Sequence, residues 1–327
     1  MKKKMSNLLD EGPYTRISKD PTNNIMNKTK SVLKNLQIKL PKCTYKKLSP
    51  QYSKRPHIYR LPKIHKPEVP LRPIVSSIDS PAYELSKYIL PLLKPLFGFE
   101  SSFIKNSYDF IEKIKLVPIF IDDQMMSYDV TSLFTNIPVN EMLNNVRQKL
   151  ENDHTLNDRT QLSVSSIMEI LDVCVNHSYF QYNSQFYLQK SGLPMGGVLS
   201  PILSNIYMDY FEKLAIQSWK QKPKLWLRYL DDIFCVWEKD FHDHNQFLTH
   251  INSLRPSIKF TVEYEKSNCL PFLDVLICKT TNGIETSVYR KSTNTGQYLN
   301  YFSNSPSHVK IGTAQSLFYI AYKYLQH

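Results

Sequence analysis

The order of elements along the chain predicts an α+β fold, with helices on one face of an antiparallel sheet in a split βαβ arrangement. Three observations carry this prediction. A short apolar run, Gln124 to Val130, precedes two stretches of helical periodicity, and a pair of apolar runs, Leu225 to Leu230 and Ile233 to Trp237, is broken only by Asp231-Asp232. Two further runs, Phe260 to Tyr264 and Phe272 to Ile277, close the series.

Composition sets the outer limits. The 327 residues are 42% hydrophobic and 12% aromatic, enough to bury a substantial core, so disorder and a small disulfide-stapled module are both excluded. Lys plus Arg number 41 against 29 Asp plus Glu, a net charge of +12 that favours a polyanionic partner, nucleic acid before a membrane surface. The five cysteines include no C-x-x-C pair, so the sequence supports neither a disulfide framework nor a zinc knuckle, and a reducing compartment fits best. The start, Met1-Lys-Lys-Lys-Met-Ser, lacks the apolar core of a secretory signal, and Pro91, Lys94 and Pro95 interrupt the most apolar stretch. No membrane-spanning segment is expected. The 8 glycines, against 20 prolines, form no G-x-G-x-x-G or G-x-x-x-x-G-K pattern, which removes the main support for a Rossmann or P-loop reading.

Taken in order, the segment to about residue 55 is polar and basic, with one helical stretch from Thr29 to Leu40, and is expected to be an accessory lead-in. Arg55 to Ser77, rich in proline and in Lys, Arg and His, predicts a basic hairpin or loop. Pro81 to Leu90 predicts a helix entered through Ser80 and Pro81, which Pro91 should end or kink. Gln124 to Val130 predicts a core strand delivering Asp129 near its end. Val139 to Leu150 and Ser163 to His177 predict amphipathic helices, and Tyr179 to Gln189 a hairpin turning at Asn183-Ser184. Ser200-Pro201 opens a third helix, expected to pack on a sheet.

Three features carry chemistry. Tyr229-Leu230-Asp231-Asp232 places two acids at a turn held by apolar strands on both sides; such an Asp pair also suits an ordinary hairpin turn. Asp129 lies near the end of its own strand, and two strand-borne acids on neighbouring strands can build a carboxylate site for the paired divalent cations that phosphoryl transfer commonly uses. The run Ser191 to Asn205 holds three of the eight glycines within six residues, which would let backbone approach a ligand closely or simply satisfy a loop.

In this order the strings LPKIHKPEVPLRPIVSS, MSYDVTSLFTNIP, YFQYNSQFYLQKSGLPMGGVLSPILSNIYMDYFE, RYLDD, FTVEYE, LPFLDV and YRKSTNTGQYL resemble a reverse transcriptase of the Penelope-like retroelement family, over Leu61 to Leu299. The resemblance implies a right-hand polymerase fold with a split βαβ, ferredoxin-like palm. It divides the chain into an accessory segment (1–55), fingers (56–122), a palm with finger insertions (123–280) and a thumb short enough to be incomplete (281–327). It implies an RNA-directed DNA polymerase that extends a DNA primer on an RNA template with dNTPs, using two Mg²⁺ ions or Mn²⁺ in their place, and acting in the nucleus. Asp129, Asp231 and Asp232 then become the catalytic, metal-binding acids. Lys63, Lys66 and Arg72 grip the triphosphate, and Val130, Phe134 and Gly196 complete the nucleotide site, with Phe134 as the ring that excludes a ribose 2′-OH. Phe272, Leu273 and Asp274 form the primer grip.

Each role has a plainer alternative: surface charge for Lys63, Lys66 and Arg72, and core packing for Phe134 and Phe272. Many reverse transcriptases carry Gln where Met195 stands. The family often adds a GIY-YIG endonuclease after the thumb; no such motif occurs in the chain, which implies an endonuclease-lacking relative or a fragment. An RNA-dependent RNA polymerase is disfavoured by Phe134; the alternative of an inactive, domesticated product that only binds nucleic acid is opposed by the three intact acids and favoured by the missing endonuclease motif and short thumb. His242-Asp243-His244 is expected to be solvated, and the tyrosine-rich tail from Tyr289 to Tyr324 to stack on bases or to fill a thumb core.

Overall fold

A computed structural model describes residues 2–64, 68–240 and 243–324. The chain begins with α1 (Lys2–Glu11), β1 (Tyr14–Ile17), α2 (Thr22–Asn35) and α3 (Lys42–Leu48). The hairpin of β2 (His57–Pro62) and β3 (Leu71–Ser76) follows, then α4 (Tyr83–Leu93) and α5 (Ser107–Lys115). Next come β4 (Gln124–Val130), α6 (Leu133–Asn136), α7 (Val139–Glu151), α8 (Leu156–Arg159), α9 (Val164–Asn176), β5 (Tyr179–Tyr182), β6 (Gln185–Gln189) and α10 (Ser200–Gln217). The last part runs β7 (Leu225–Tyr229), β8 (Asp232–Trp237), α11 (His244–Leu254), β9 (Phe260–Tyr264), β10 (Cys269–Phe272), β11 (Val275–Thr280), β12 (Gly283–Val288) and α12 (Ser307–Tyr324).

These elements fall into two compact units. The first comprises residues 1–100, 131–218 and 252–259. Its five-stranded sheet has the order β1-β6-β5-β2-β3, so a strand of the N-terminal segment is built into the same sheet as the basic hairpin. Met5, Leu9, Tyr14, Ile58, Val75, Phe180 and Tyr187 form a buried cluster there. Asn183 and Ser184 both adopt positive φ (47° and 61°), the two-residue turn that the Asn-Ser pair predicts. Helix α7 buries Met142, Asn145, Val146 and Leu150, the three- and four-residue spacing of one helical face. Helix α9 is capped by Ser163, whose hydroxyl accepts from the Ser166 amide at 3.3 Å.

The second unit comprises residues 101–130, 219–251 and 260–327. Its four-stranded sheet has the order β7-β8-β4-β9 with every neighbour antiparallel, the strand order of a split βαβ fold. A second, three-stranded sheet orders β10-β11-β12. The core of this unit gathers Phe110, Ile114, Met125, Leu227, Phe234, Val236, Phe272, Val275 and Ile277.

Four expectations need correction. The N-terminal helix spans Thr22–Asn35 rather than 29–40, because Ile25, Thr29 and Leu33 carry the buried stripe. Helix α4 passes through Pro91 to Leu93 before tightening into a 3₁₀ turn at Lys94–Leu96; so near the helix end the missing proline amide forfeits only one hydrogen bond. The run Phe272 to Ile277 is not one strand, since Leu273 takes φ +53° and turns the chain between β10 and β11. Cys269 and Cys278 stand opposite each other in that hairpin, with Cα atoms 4.1 Å apart, and are joined by a disulfide that spacing alone did not reveal. Among the described residues no helix is long and apolar enough to cross a membrane.

Candidate active site

The acids predicted from sequence lie at one end of β8 and β4, the two central strands of the four-stranded sheet in the second unit. Strand β4 buries Met125, Met126, Tyr128 and Val130 and leaves Asp129 half-buried. In the antiparallel register Asp129 stands directly opposite Asp232, the first residue of β8. Directly opposed residues share a face of the sheet, with Cβ atoms about 4.5–5.5 Å apart. Tyr229 and Asp232 close the β7–β8 hairpin, leaving Leu230-Asp231 as a two-residue turn. Leu230 adopts φ +57°, a left-handed conformation that costs a bulky L-residue energy and that glycine would take freely.

Two contacts fix the turn to its neighbours, and a third ties together the strands beside it. The Val130 amide donates to the Asp231 carbonyl at 3.1 Å. The Thr261 hydroxyl donates to the Asp129 carbonyl at 3.4 Å, and Thr261 is the β9 residue paired with Asp129. Arg228 is completely buried, and its guanidinium donates to the Leu230 carbonyl at 3.3 Å. Sequence reasoning missed Arg228 because a charged residue in an apolar strand carries no motif of its own. Its signal was position, two residues before the turn that it holds.

Two carboxylates forced opposite each other repel, and a hard divalent cation is the natural counter-charge for such oxygens. The donor set therefore fits Mg²⁺ or Mn²⁺. Among the described residues, no three His, Cys, Asp or Glu side chains stand close enough together to hold an ion as they are. Asp129, Asp231 and Asp232 thus gather at one end of the central strands without forming a closed cage.

The first unit holds the predicted nucleotide-contact residues, apart from Val130. Its glycine-rich loop works as a backbone lace. A Cβ at Gly192, which has φ +67°, would lie 2.3 Å from the Thr135 carbonyl and 2.5 Å from the Phe134 oxygen, so the loop lies flat on α6. The Leu193 amide donates to the Phe134 carbonyl. At Gly196, with φ +96°, a Cβ would lie 2.7 Å from the Val75 oxygen, and the Val75 amide donates to the Met195 carbonyl at 2.8 Å. One loop therefore joins the helix carrying Phe134 to the strand carrying Arg72. Phe134 is half-buried and Arg72 exposed. The Lys63 amide donates to the Pro70 carbonyl at 2.9 Å at the hairpin neck. Lys66 lies outside the described residues.

Of the predicted primer grip, Phe272 is 3% exposed and packs on Phe110 with ring centroids 4.7 Å apart, a core residue. Leu273 and Asp274 occupy the turn, with Asp274 exposed.

Sequence reasoning also missed an ion-pair cluster in the first unit. Arg255 Nε donates to both oxygens of Glu141, at 2.8 and 2.9 Å, while the Tyr207 and Tyr210 hydroxyls donate to the same carboxylate at 3.3 and 3.2 Å. The hydrogen bonds from Arg255 hold Glu141 below the usual carboxylate range, and Glu141 in turn raises Arg255. The cluster anchors the segment 252–259, where the Lys259 carbonyl accepts from the Thr131 amide at 2.8 Å. Thr131 and Lys259 immediately flank β4 and β9, the strands of Asp129 and Thr261.

The family described as reverse transcriptase (RNA-dependent DNA polymerase) matches residues 36–299. The chain is similar in structure to telomerase from Candida albicans in complex with a TWJ fragment of telomeric RNA, with a TM-score of 0.58, 15% identity, and coverage of 96% of this chain and 59% of that one. It is also similar to apo telomerase from Candida tropicalis, with a TM-score of 0.53, 13% identity, and coverage of 83% and 55%. This likeness shows a right-hand polymerase fold, and the chain spans about three-fifths of the first of these telomerases and less of the second. No curated protein matches the sequence.

Proposed function

The chain belongs to the reverse transcriptase (RNA-dependent DNA polymerase) family, and from that premise we propose that it extends a DNA primer on an RNA template by two-metal nucleotidyl transfer. One observation carries the reading: Asp129 stands directly opposite Asp232, beside a left-handed Leu230 turn that presents Asp231. Reverse transcriptases generally use divalent cations, which when bound activate the primer hydroxyl and stabilise the leaving phosphates. Asp129, Asp231 and Asp232 would hold them. The register pair and the Val130–Asp231 hydrogen bond keep these carboxylates at one end of the central strands, so that little reorganisation is needed as charge develops.

The remaining roles follow the motif order. Lys63 and Arg72 on the basic hairpin, together with Lys66 of the same sequence motif, pair with the triphosphate, as guanidinium and ammonium groups suit phosphate oxygens. Gly196 lets the loop backbone approach the nucleotide, and Phe134, whose carbonyl that loop holds, excludes a 2′-OH. Leu273 and Asp274 are the parts of the proposed primer grip that reach the surface. Within the family the ordered strings favour a Penelope-like retroelement enzyme acting in the nucleus, with fingers over 56–122, palm over 123–280 and thumb over 281–327.

Primer extension on an RNA template, with dNTPs and then rNTPs, tests the reading in wild type and in Phe134→Ala. The wild type should use dNTPs, and the variant should gain ribonucleotide use by up to about 100-fold, the limit for a pocket that merely tolerates a hydroxyl. Wild type that binds template yet extends no primer in Mg²⁺ or Mn²⁺ would instead support a product that only binds nucleic acid.

A further inference from the structure

Net charge is distributed very unevenly along this chain. Residues 1–55 hold 14 of the 41 Lys and Arg but only 3 of the 29 Asp and Glu, a balance of +11 out of the +12 of the whole protein. The remaining 272 residues are therefore almost neutral. A polyanion is drawn by local field, and that field is concentrated on a segment distant in sequence from all three acids.

Within this segment one place combines charge with an aromatic surface. On α3, Lys42 and Lys46 lie one helical turn apart on the same face, and both they and Lys47 are exposed. The chain then descends through Pro50 into a groove of about 440 Å³ lined by Lys46, Lys47, Tyr52 and Lys54. Tyr52 is 97% exposed, so its ring packs against almost nothing in the protein. The two acids at the groove already have counter-charges: Asp79 pairs with Lys54 at 2.6 Å and Glu84 with Lys87 at 3.4 Å.

We propose that this groove anchors single-stranded nucleic acid, with Tyr52 stacking on a base and Lys42, Lys46 and Lys47 contacting phosphates, at a site separate from the catalytic edge. Exposed rings set among lysines bind unstacked bases with little regard to sequence. A duplex hides its base faces and would leave Tyr52 unused. The inference takes only its partner class from the polymerase reading, and binding is read without turnover, so the two fail independently.

The test is fluorescence anisotropy on the full chain, using a labelled oligo-U RNA, the matching oligo-dT and a blunt duplex, across a salt series. Lys42→Gln with Lys46→Gln and Lys47→Gln should reduce the slope of log K against log salt by about 2, since each phosphate contact on a single strand contributes about 0.7. Tyr52→Ala should weaken single-strand binding at least about 5-fold while Tyr52→Phe preserves it, because stacking needs the ring and not the hydroxyl. The duplex should respond less to Tyr52→Ala than either single strand. RNA and DNA responding alike marks a backbone-and-stacking site, and a larger loss with RNA assigns it to an RNA strand. An unchanged salt slope in the triple variant, or equal effects of Tyr52→Ala on duplex and single strands, would overturn the proposal. Thermal melts of these surface variants, expected to match wild type, exclude misfolding as the cause.

Discussion

The second unit contains two hairpin turns of nearly identical local design. Tyr229-Leu230-Asp231-Asp232 joins β7 to β8, and Phe272-Leu273-Asp274-Val275 joins β10 to β11; each has a two-residue Leu-Asp turn with leucine at positive φ, +57° and +53°. By contrast, the turns at Asn183-Ser184 and Ser267-Asn268 carry positive φ on short polar residues that tolerate it well. What separates the two leucine turns is the flanking pair. Phe272 and Val275 are buried in the core, so that turn closes a packed hairpin. Asp232 instead stands opposite Asp129 on the next strand, so its turn closes a carboxylate edge. Backbone strain alone therefore does not mark a catalytic turn, and the residue across the sheet decides what the turn is for.

The comparison breaks most visibly on the acids. Asp129→Asn and Asp231→Asn should each depress primer extension well beyond the ~10- to 100-fold that loss of an outer-shell metal partner typically costs, with the melting temperature nearly unchanged. Asp274→Asn, at the equivalent position of the other turn and in the proposed primer grip, should raise the KM for primer while leaving kcat within about 2-fold of wild type. Rates measured in Mg²⁺ beside thermal melts decide it. Near-normal extension by Asp231→Asn would remove the catalytic assignment, and a large loss of kcat in Asp274→Asn would make the second turn part of the catalytic site rather than of a primer grip.

Much of this was legible in the sequence because it is local. The limits of β4 follow from its run of mostly buried side chains, those of β9 from the alternation of Phe260, Val262 and Tyr264, and the Asn183-Ser184 turn from residues that tolerate left-handed backbone. The register of Asp129 against Asp232 was out of reach, since it depends on pairing between strands about a hundred residues apart. The same limit hid the Glu141–Arg255 cluster, whereas the Cys269–Cys278 pairing and the Arg228 contact with Leu230 are local and were hidden because they join groups of ordinary type whose meaning lies in what they face. The break at Leu273 escaped the apolar pattern for the opposite reason, since its flanks look like one continuous strand; only the resemblance of Phe272 to Val275 to a primer-grip strand turn pointed to it.

A smaller effect separates the flanks. Phe272→Ala should cost about 3–5 kcal/mol, because it opens a cavity between Phe110 and Phe234 in a dry core. Tyr229→Ala, at the matching position of the other turn and 40% exposed, should cost less than about 1 kcal/mol. Denaturant unfolding of both variants measures the difference. Similar losses at the two positions would mean that Tyr229 is structural and that the flanks do not distinguish the turns.

The smallest expected effect addresses the strain itself. Replacing either leucine by glycine relieves a left-handed cost of about 1–2 kcal/mol but adds backbone entropy to the unfolded chain, about 0.5–1 kcal/mol in the opposite direction. Leu273→Gly also loses packing, since its side chain rests against the core cluster. Both variants should therefore lie within about 1 kcal/mol of wild type in stability. Their activities should diverge. In the carboxylate turn a rigid leucine fixes the direction in which Asp231 leaves the strand, and glycine lets that direction wander; displacement of a reacting group by about 1 Å can cost up to about 10²-fold in rate. Leu230→Gly should therefore lower kcat with little change in KM, whereas Leu273→Gly should leave kcat nearly intact. Equal kcat values for the two variants would show that the strain at Leu230 is an incidental product of hairpin geometry, shared by both turns and used by neither.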